Sequence, residues 1–255
     1  MGREIIRAVV DNPEAALSGA FERPDHEDLG RDLGNLAGCG RLNLTLSDGF
    51  GKACQGADVL IDFTAPEATL KNAQLAADQG LALVIGTTGF DPDQTARLKR
   101  LGKKSAIVLA PNMSVGLNVL LKIVAEASRI LGPAYDLEIC EAHHKMKVDA
   151  PSGTALALAE AVAAGRNLDL DKVGVFERSG RVGPRKKDEI GVQSIRAGDI
   201  VGEHTVMMAG PGERLEFVHR CHSRSTFAQG AVRAALWVAK QAPGLYDMSD
   251  VLGLK

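Results

Sequence analysis

Three apolar runs, each closed by a turn of small residues and followed by a helical stretch, constrain the fold of this chain more than any other feature. The runs are Ala57 to Phe63 (ADVLIDF), Leu81 to Ile85 and Ala106 to Leu109; the helical stretches after them span Glu67 to Asp78, Pro92 to Leu101 and Val115 to Leu131. A strand that is apolar at every position leaves no face for water, so it belongs inside a sheet covered on both sides. Strands joined through helices run parallel, because a crossover must return the chain to the same end of the sheet. These features predict an α/β fold on a parallel sheet. In such sheets ligands sit at the carboxyl ends of the strands, which is where Glu22, Gly86-Thr87-Thr88 and Ala110 to Met113 fall.

Ahead of these cycles, Ile5, Ile6, Val9 and Val10 recur at helical spacing within Gly2 to Asp11, so the sequence opens inside a helix. Leu17 to Glu22 reads as a short strand, and a glycine-rich, partly polar region follows to about Gly40. After Gly132-Pro133 the order changes. A strand over Tyr135 to Ala142 and a helix over Ser152 to Ala164 precede three β-like runs, Ile190 to Arg196, His204 to Met208 and Arg214 to Arg220, with no helix between them. That pattern predicts a second domain with a mixed or antiparallel sheet. Glu177 to Asp188 (ERSGRVGPRKKD) reads as a mobile basic loop, and Thr226 to Gln241 as a helix packing back on the first domain.

Composition excludes several function classes. Lys plus Arg number 30 against 32 Asp plus Glu, so no global field attracts nucleic acid or an anionic membrane. No apolar run approaches the roughly 20 residues of a membrane span, and Met1 to Glu14 alternates charged with apolar residues where a signal peptide has an unbroken apolar core. Cys39, Cys54, Cys140 and Cys221 are widely spaced, which fits free thiols in a reducing, cytoplasmic compartment.

Chemistry concentrates in Glu141 to Ala155, EAHHKMKVDAPSGTA, which sets two histidines and two lysines ahead of a helix start. Cations beside the unpaired N–H groups of a helix N-terminus receive an anion. His143 is the candidate proton donor, since imidazole titrates nearest neutral pH; a lone histidine more often orders a loop, but two beside Lys147 and an SGT turn favour chemistry. Asp149 and Ser152 are alternative caps for the helix. Lys145 is expected to face solvent. His219, Cys221 and His222 lack further ligands nearby in sequence, so no metal site is expected. Glu22-Arg23 pairs an acid suited to the ribose hydroxyls of NAD with an arginine suited to the 2′-phosphate of NADP.

The run EAHHKMKVDAPSGTA, with IDFTAPE at 61–67, VIGTTGF at 84–90, APNMSVG at 110–116, RAGDIVGEHT at 196–205 and GAVRAALW at 230–237, resembles the dihydrodipicolinate reductase family over essentially the whole chain. The resemblance implies an NAD(P)H-binding domain of Rossmann type over residues 1–114 and 222–255. It implies a substrate and tetramerisation domain with an open mixed sheet over residues 115–221. It further implies reduction of 4-hydroxy-tetrahydrodipicolinate in lysine biosynthesis with NADPH or NADH, by a homotetramer. His143 would then donate the proton, and His144 and Lys147 would hold one substrate carboxylate. Gly153 and Thr154 would take the second, with Lys147 a candidate second donor. Met1, Glu22, Arg23, Gly86, Thr87, Thr88, Ala110, Pro111, Asn112 and Met113 would line the cofactor. Family members begin with a strand and a GxxGRMG turn, of which only Met1-Gly2 stands here. The expectation is therefore a piece of a longer natural chain, or a shortened variant with impaired cofactor binding. The rival readings are a non-catalytic binder of nucleotide and dicarboxylate, and a metal hydrolase using the histidines.

Overall fold

Ile5, Ile6 and Val9 form the buried stripe of the first helix, α1 (Gly2–Val10), as their spacing requires. The structure, a computed structural model, describes residues 1–255 and contains two compact units, Met1–Val115 with Arg224–Lys255, and Gly116–Ser223. In the first, α1 leads to two short helices, α2 (Leu33–Ala37) and α3 (Phe50–Ala53), and then to the alternating series β1 (Val59–Asp62), α4 (Pro66–Asp78), β2 (Ala82–Ile85), α5 (Pro92–Leu101) and β3 (Ala106–Leu109). The apolar runs form these strands because Leu83, Val84, Ile85, Ile107 and Val108 are wholly buried. Their parallel register, Val59↔Ala82 through Asp62↔Ile85 and Leu83↔Ile107 through Ile85↔Leu109, aligns the carboxyl ends.

The expected strand over Leu17 to Glu22 is a correction. Phe21 makes only an isolated bridge to Ser47, held by Ser47 N–H to the Ala20 carbonyl and Glu22 N–H to the Ser47 carbonyl, each 3.0 Å. A strand needs a neighbouring ladder for its N–H and C=O groups, and β1 lies at the edge of its sheet. The glycine-rich region after it is ordered by Asp32, whose carboxylate caps α2 and accepts the N–H groups of Gly34, Asn35, Leu42 and Asn43. α2 and α3 were not legible in the sequence because five and four residues are too few for a helical period to register.

α6 (Val115–Leu131) carries the chain into the second unit, followed by β4 (Asp136–His143), α7 (Gly153–Gly165), α8 (Leu170–Val173), β5 (Gly174–Val175), β6 (Ile190–Arg196), β7 (Gly202–Gly210) and β8 (Glu213–Cys221). The strand order β5-β6-β4-β7-β8 is a mixed sheet: β4 pairs parallel with β6 and antiparallel with β7. α6 and α7 cover one face, packing Leu120, Val124, Leu158 and Val162 against Leu137, Ile139, Val192, Val206 and Met208. The other face exposes Cys140, Ile195 and Val218. The basic loop is anchored at two arginines: Arg178 grips both carboxylate oxygens of Glu138 at 2.8 Å, and Arg185 reaches Glu138, Asp136 and the Leu137 carbonyl. These arginines find carboxylates distant in sequence, up to 49 residues away.

The chain then returns to the first unit through α9 (Ser225–Val238), β9 (Gly244–Tyr246), which extends the parallel sheet beside β3, and α10 (Met248–Leu252). α9 buries Ala231, Ala234 and Val238 against Val84, Val108 and Met113.

Candidate active site

Alternation along β4 turns Leu137, Ile139, Glu141 and His143 toward the helix-covered face of the second sheet. Register then assembles a polar row at the carboxyl end of β4. Glu141 stands between Ser194 of β6 and His204 of β7, and His204 is opposite His219 of β8. One residue row further, with His143, comes Arg196 of β6.

Glu141 has no exposed surface. Arg196 donates to both of its oxygens at 2.8 Å, the backbone N–H of Ser152 donates at 3.1 Å, and His143 Nδ1 lies 2.6 Å from Oε2. Burial alone would raise its pKa; the hydrogen bonds from Arg196, His143, Ser194 and Ser152 outweigh that and lower it to about 2. Burial first, and then the charge of neighbouring His143, lower His204 to about 4, so its ring is neutral at pH 7. The ring meets His143 edge-on at 5.1 Å between centroids, and its Nε2 lies 3.1 Å from Ser152 Oγ. His204 Nδ1 is buried with no hydrogen-bond partner.

Of the two alternative caps for α7, Ser152 is the one: its hydroxyl accepts the Ala155 N–H at 3.1 Å. Asp149 instead takes Lys147 Nζ at 2.8 and 2.9 Å. Gly153 opens α7 with no atom within 4 Å of where a Cβ would stand, which leaves room above the helix N-terminus. His144 is half-buried, while Lys145 is exposed to solvent. The second unit thus gathers a lysine, two edge-to-face histidines hydrogen-bonded to Glu141 and to Ser152, and the first turn of a 13-residue helix, a set suited to an anion and a proton transfer.

The remaining predicted residues lie in the first unit. Asp62 at the end of β1 accepts the hydroxyls of Thr64, Thr69 and Thr87 and the amide of Asn72. This network fastens the turn after β2 to the turn after β1. The Thr87 hydroxyl is engaged there, and the residue is buried. Gly86 packs flat under Phe63, whose ring occupies the place of a Cβ. Thr88 and Pro111 are exposed, Asn112 is half-buried, and Ala110 and Met113 are buried. Arg23 pairs with Asp25 at 3.1 Å, both exposed, and the Glu22 carboxylate accepts the Arg23 N–H. No side chain caps α1, and nothing lies within 4 Å of a Cβ built on Gly2. These features fit a nucleotide: open N–H groups for phosphate, an acid and an arginine for the ribose end, and small residues at the strand ends.

Sequence reading singled out His143, His144 and Lys147 but gave no role to Glu141, Arg196 or His204. The signal that could have found them is the period of two in β4 and β7, which puts Glu141, His143 and His204 on one buried face. No group of three or more His, Cys, Asp or Glu side chains could hold a metal ion.

Comparison with known proteins adds three findings. The sequence patterns described as "Dihydrodipicolinate reductase, N-terminus" and "Dihydrodipicolinate reductase, C-terminus" match residues 1–113 and 116–252. The chain is 52% identical over 255 residues to 4-hydroxy-tetrahydrodipicolinate reductase of Geotalea uraniireducens, covering 100% of this chain and 96% of that protein. It is 54% identical over 256 residues to the protein of the same name from Chromohalobacter salexigens, covering 100% and 95%. Among solved structures, the dipicolinate-bound dihydrodipicolinate reductase from Paenisporosarcina sp. TG-14 superposes with a TM-score of 0.74 at 23% identity, over 96% of this chain and 92% of that one, a likeness of fold.

Proposed function

The chain belongs to the dihydrodipicolinate reductase family, and from that premise we propose how its residues carry out the reaction. Its activity is that of 4-hydroxy-tetrahydrodipicolinate reductase, an oxidoreductase using a pyridine nucleotide. The substrate and product differ by a hydroxyl replaced with hydrogen, so one hydride and one proton are consumed and water leaves. When bound, the reduced nicotinamide supplies the hydride.

His143 delivers the proton, and His144 and Lys147 hold one carboxylate of the dicarboxylate substrate. The second carboxylate meets the first-turn N–H groups of α7 at Gly153 and Thr154. Each charge-assisted hydrogen bond of this kind contributes about 1.5 to 3 kcal/mol. Lys147 must leave Asp149 to reach a substrate, and exchanging one carboxylate for another keeps its charge compensated. On the cofactor side, the N–H groups after Met1, the backbone of Gly86, Thr87 and Thr88, and the turn Ala110, Pro111, Asn112 and Met113 hold the nucleotide. Glu22 and Arg23 take its ribose end, which supports use of both NADH and NADPH. The pathway is lysine biosynthesis in the cytoplasm, and the active form is a homotetramer joined through the open sheet faces. No helix is long and apolar enough to cross a membrane.

The observation that carries this reading is the buried His143, set in one loop system with Lys147 and the α7 N-terminus. The test is NADPH oxidation with freshly generated substrate, on the native sequence and on His143→Gln. Loss of a general acid should lower kcat by about 10²- to 10⁴-fold while KM changes little. Unchanged turnover in the variant would remove His143 from the role. Thermal stabilisation by pyridine-2,6-dicarboxylate with no NADPH oxidation by the native chain would favour the non-catalytic binder instead.

A further inference from the structure

We propose that Glu141, clamped by Arg196, is the positioning residue for His143: it keeps the proton of the neutral ring on Nδ1 and so makes Nε2 the nitrogen that delivers the catalytic proton. The proposal deepens the proton-donor reading of His143 and rests on it.

Geometry carries the assignment. Glu141 Oε1 receives Arg196 Nη2 at 2.8 Å and the Ser152 N–H at 3.1 Å; Oε2 receives Arg196 Nη1 at 2.8 Å. A carboxylate with three N–H donors and the Ser194 hydroxyl already upon it acts as an acceptor, so the contact with His143 Nδ1 at 2.6 Å is an Nδ1–H donating to Oε2. Without such a partner, either nitrogen of a neutral imidazole could carry the hydrogen. The guanidinium is itself fixed, since Nη1 also reaches the Ile195 carbonyl and Nη2 the Asp149 carbonyl, each at 2.7 Å. The clamp therefore spans β4, β6 and the residues that begin α7. The opposite nitrogen carries no side chain against it: His143 Nε2 lies 3.0 Å from where a Cβ would stand on residue 202, and because that residue is glycine the nitrogen meets only backbone there.

The proton balance follows. In the protonated ring both nitrogens carry hydrogen. The Nε2–H bond breaks as the proton passes to the substrate, its electron pair stays on Nε2, and the neutral ring retains Nδ1–H toward Glu141. Reprotonation from solvent restores the donor. A buried ion pair of the Glu141–Arg196 kind is weak evidence of a stabilising role, since apolar replacements often serve as well. What an apolar pair could not do is select the tautomer.

The test reads that tautomer directly. Protein labelled with ¹⁵N-histidine is recorded at a pH where the ring is neutral, and His143 is assigned by the signal that His143→Gln removes. The expected spectrum shows a protonated Nδ1 and a bare Nε2; a protonated Nε2 in the native protein overturns the proposal. The double variant Glu141→Gln/Arg196→Gln removes both charges together, leaving no unpaired ion buried. It should shift the ring toward the Nε2–H form and lower kcat about 10²-fold with KM within about twofold, the range for a lost orienting partner. A folded double variant with native tautomer and native kcat overturns the proposal, and if that variant does not fold, the native spectrum decides. Should His143→Gln retain full turnover, the proton-donor reading falls by itself, whatever tautomer the spectrum shows.

Discussion

His204 and Glu141 make the stability of the second unit depend on pH in a direction that can be worked out from their surroundings. His204, 4% exposed, has its pKa lowered by burial from 6.5 to about 4. Below pH 6.5 the unfolded chain takes a proton at this ring and the folded chain does not, so stability present above that pH is lost as pH falls toward 4. Glu141, lowered from 4.5 to about 2, acts in the same direction over the next window, because the unfolded carboxylate protonates before the folded one. Denaturant titrations from neutral pH into acid should therefore show a steady loss, up to about 1.4 kcal/mol per pH unit for each group within its window. His204→Asn should flatten the upper window and leave the lower one. Stability that rises on acidification through the upper window would contradict the assignment. At this scale the histidine pair was legible, because its company in the loop is unusual. Glu141 was not singled out: beside Ala142 it looks like an ordinary polar residue at a strand end, and its place in the period of two after Leu137 and Ile139, which turns it inward, says nothing of the Arg196 that meets it there.

Among the elements, α9 shows how one missing side chain positions a loop. Gly230 lies so close to the Met113 carbonyl that an added Cβ would overlap its oxygen. Alanine in a helix interior is favoured over glycine by about 0.5 to 1 kcal/mol, but overpacking against backbone costs about 1 to 3 kcal/mol, so the clash wins. Gly230→Ala should lower the thermal midpoint by several degrees, and by pushing the Ala110 to Met113 turn it should weaken NADPH binding in a direct titration. An unchanged midpoint with unchanged affinity would show that the helix shifts freely. Long helices such as α4, α5 and α6 could be read from their periods, since burial of one stripe leaves a repeating mark, and β2 from its unbroken apolar run, since burial of both faces leaves no polar position. The two-residue β5 and three-residue β9 could not, because their formation depends on β6 and β3 offering an edge.

For the whole molecule, the open face of the five-stranded sheet bears on assembly. Register sets Cys140, Thr205 and Val218 side by side across β4, β7 and β8, with Ile195 of β6 beside Ala142 on the same face. Ile195 and Val218 are 48% and 43% exposed in the single chain. Light scattering should give the mass of four chains, and Ile195→Glu should reduce it; a monomeric native protein would overturn the proposed tetramer. By itself the sequence determined the α/β class, the parallel order of β1 to β3, the change of grammar after Gly132-Pro133 and the loop that carries the histidines, because each leaves a local period or an uncommon run of residues. Only the tertiary structure decided that Leu17 to Glu22 makes no ladder, that Arg178 and Arg185 pin the basic loop, and that Arg196 and Glu141 stand behind His143. Those outcomes depend on groups up to 55 residues apart meeting across a sheet, and strand pairing, which no local pattern encodes, brings them together.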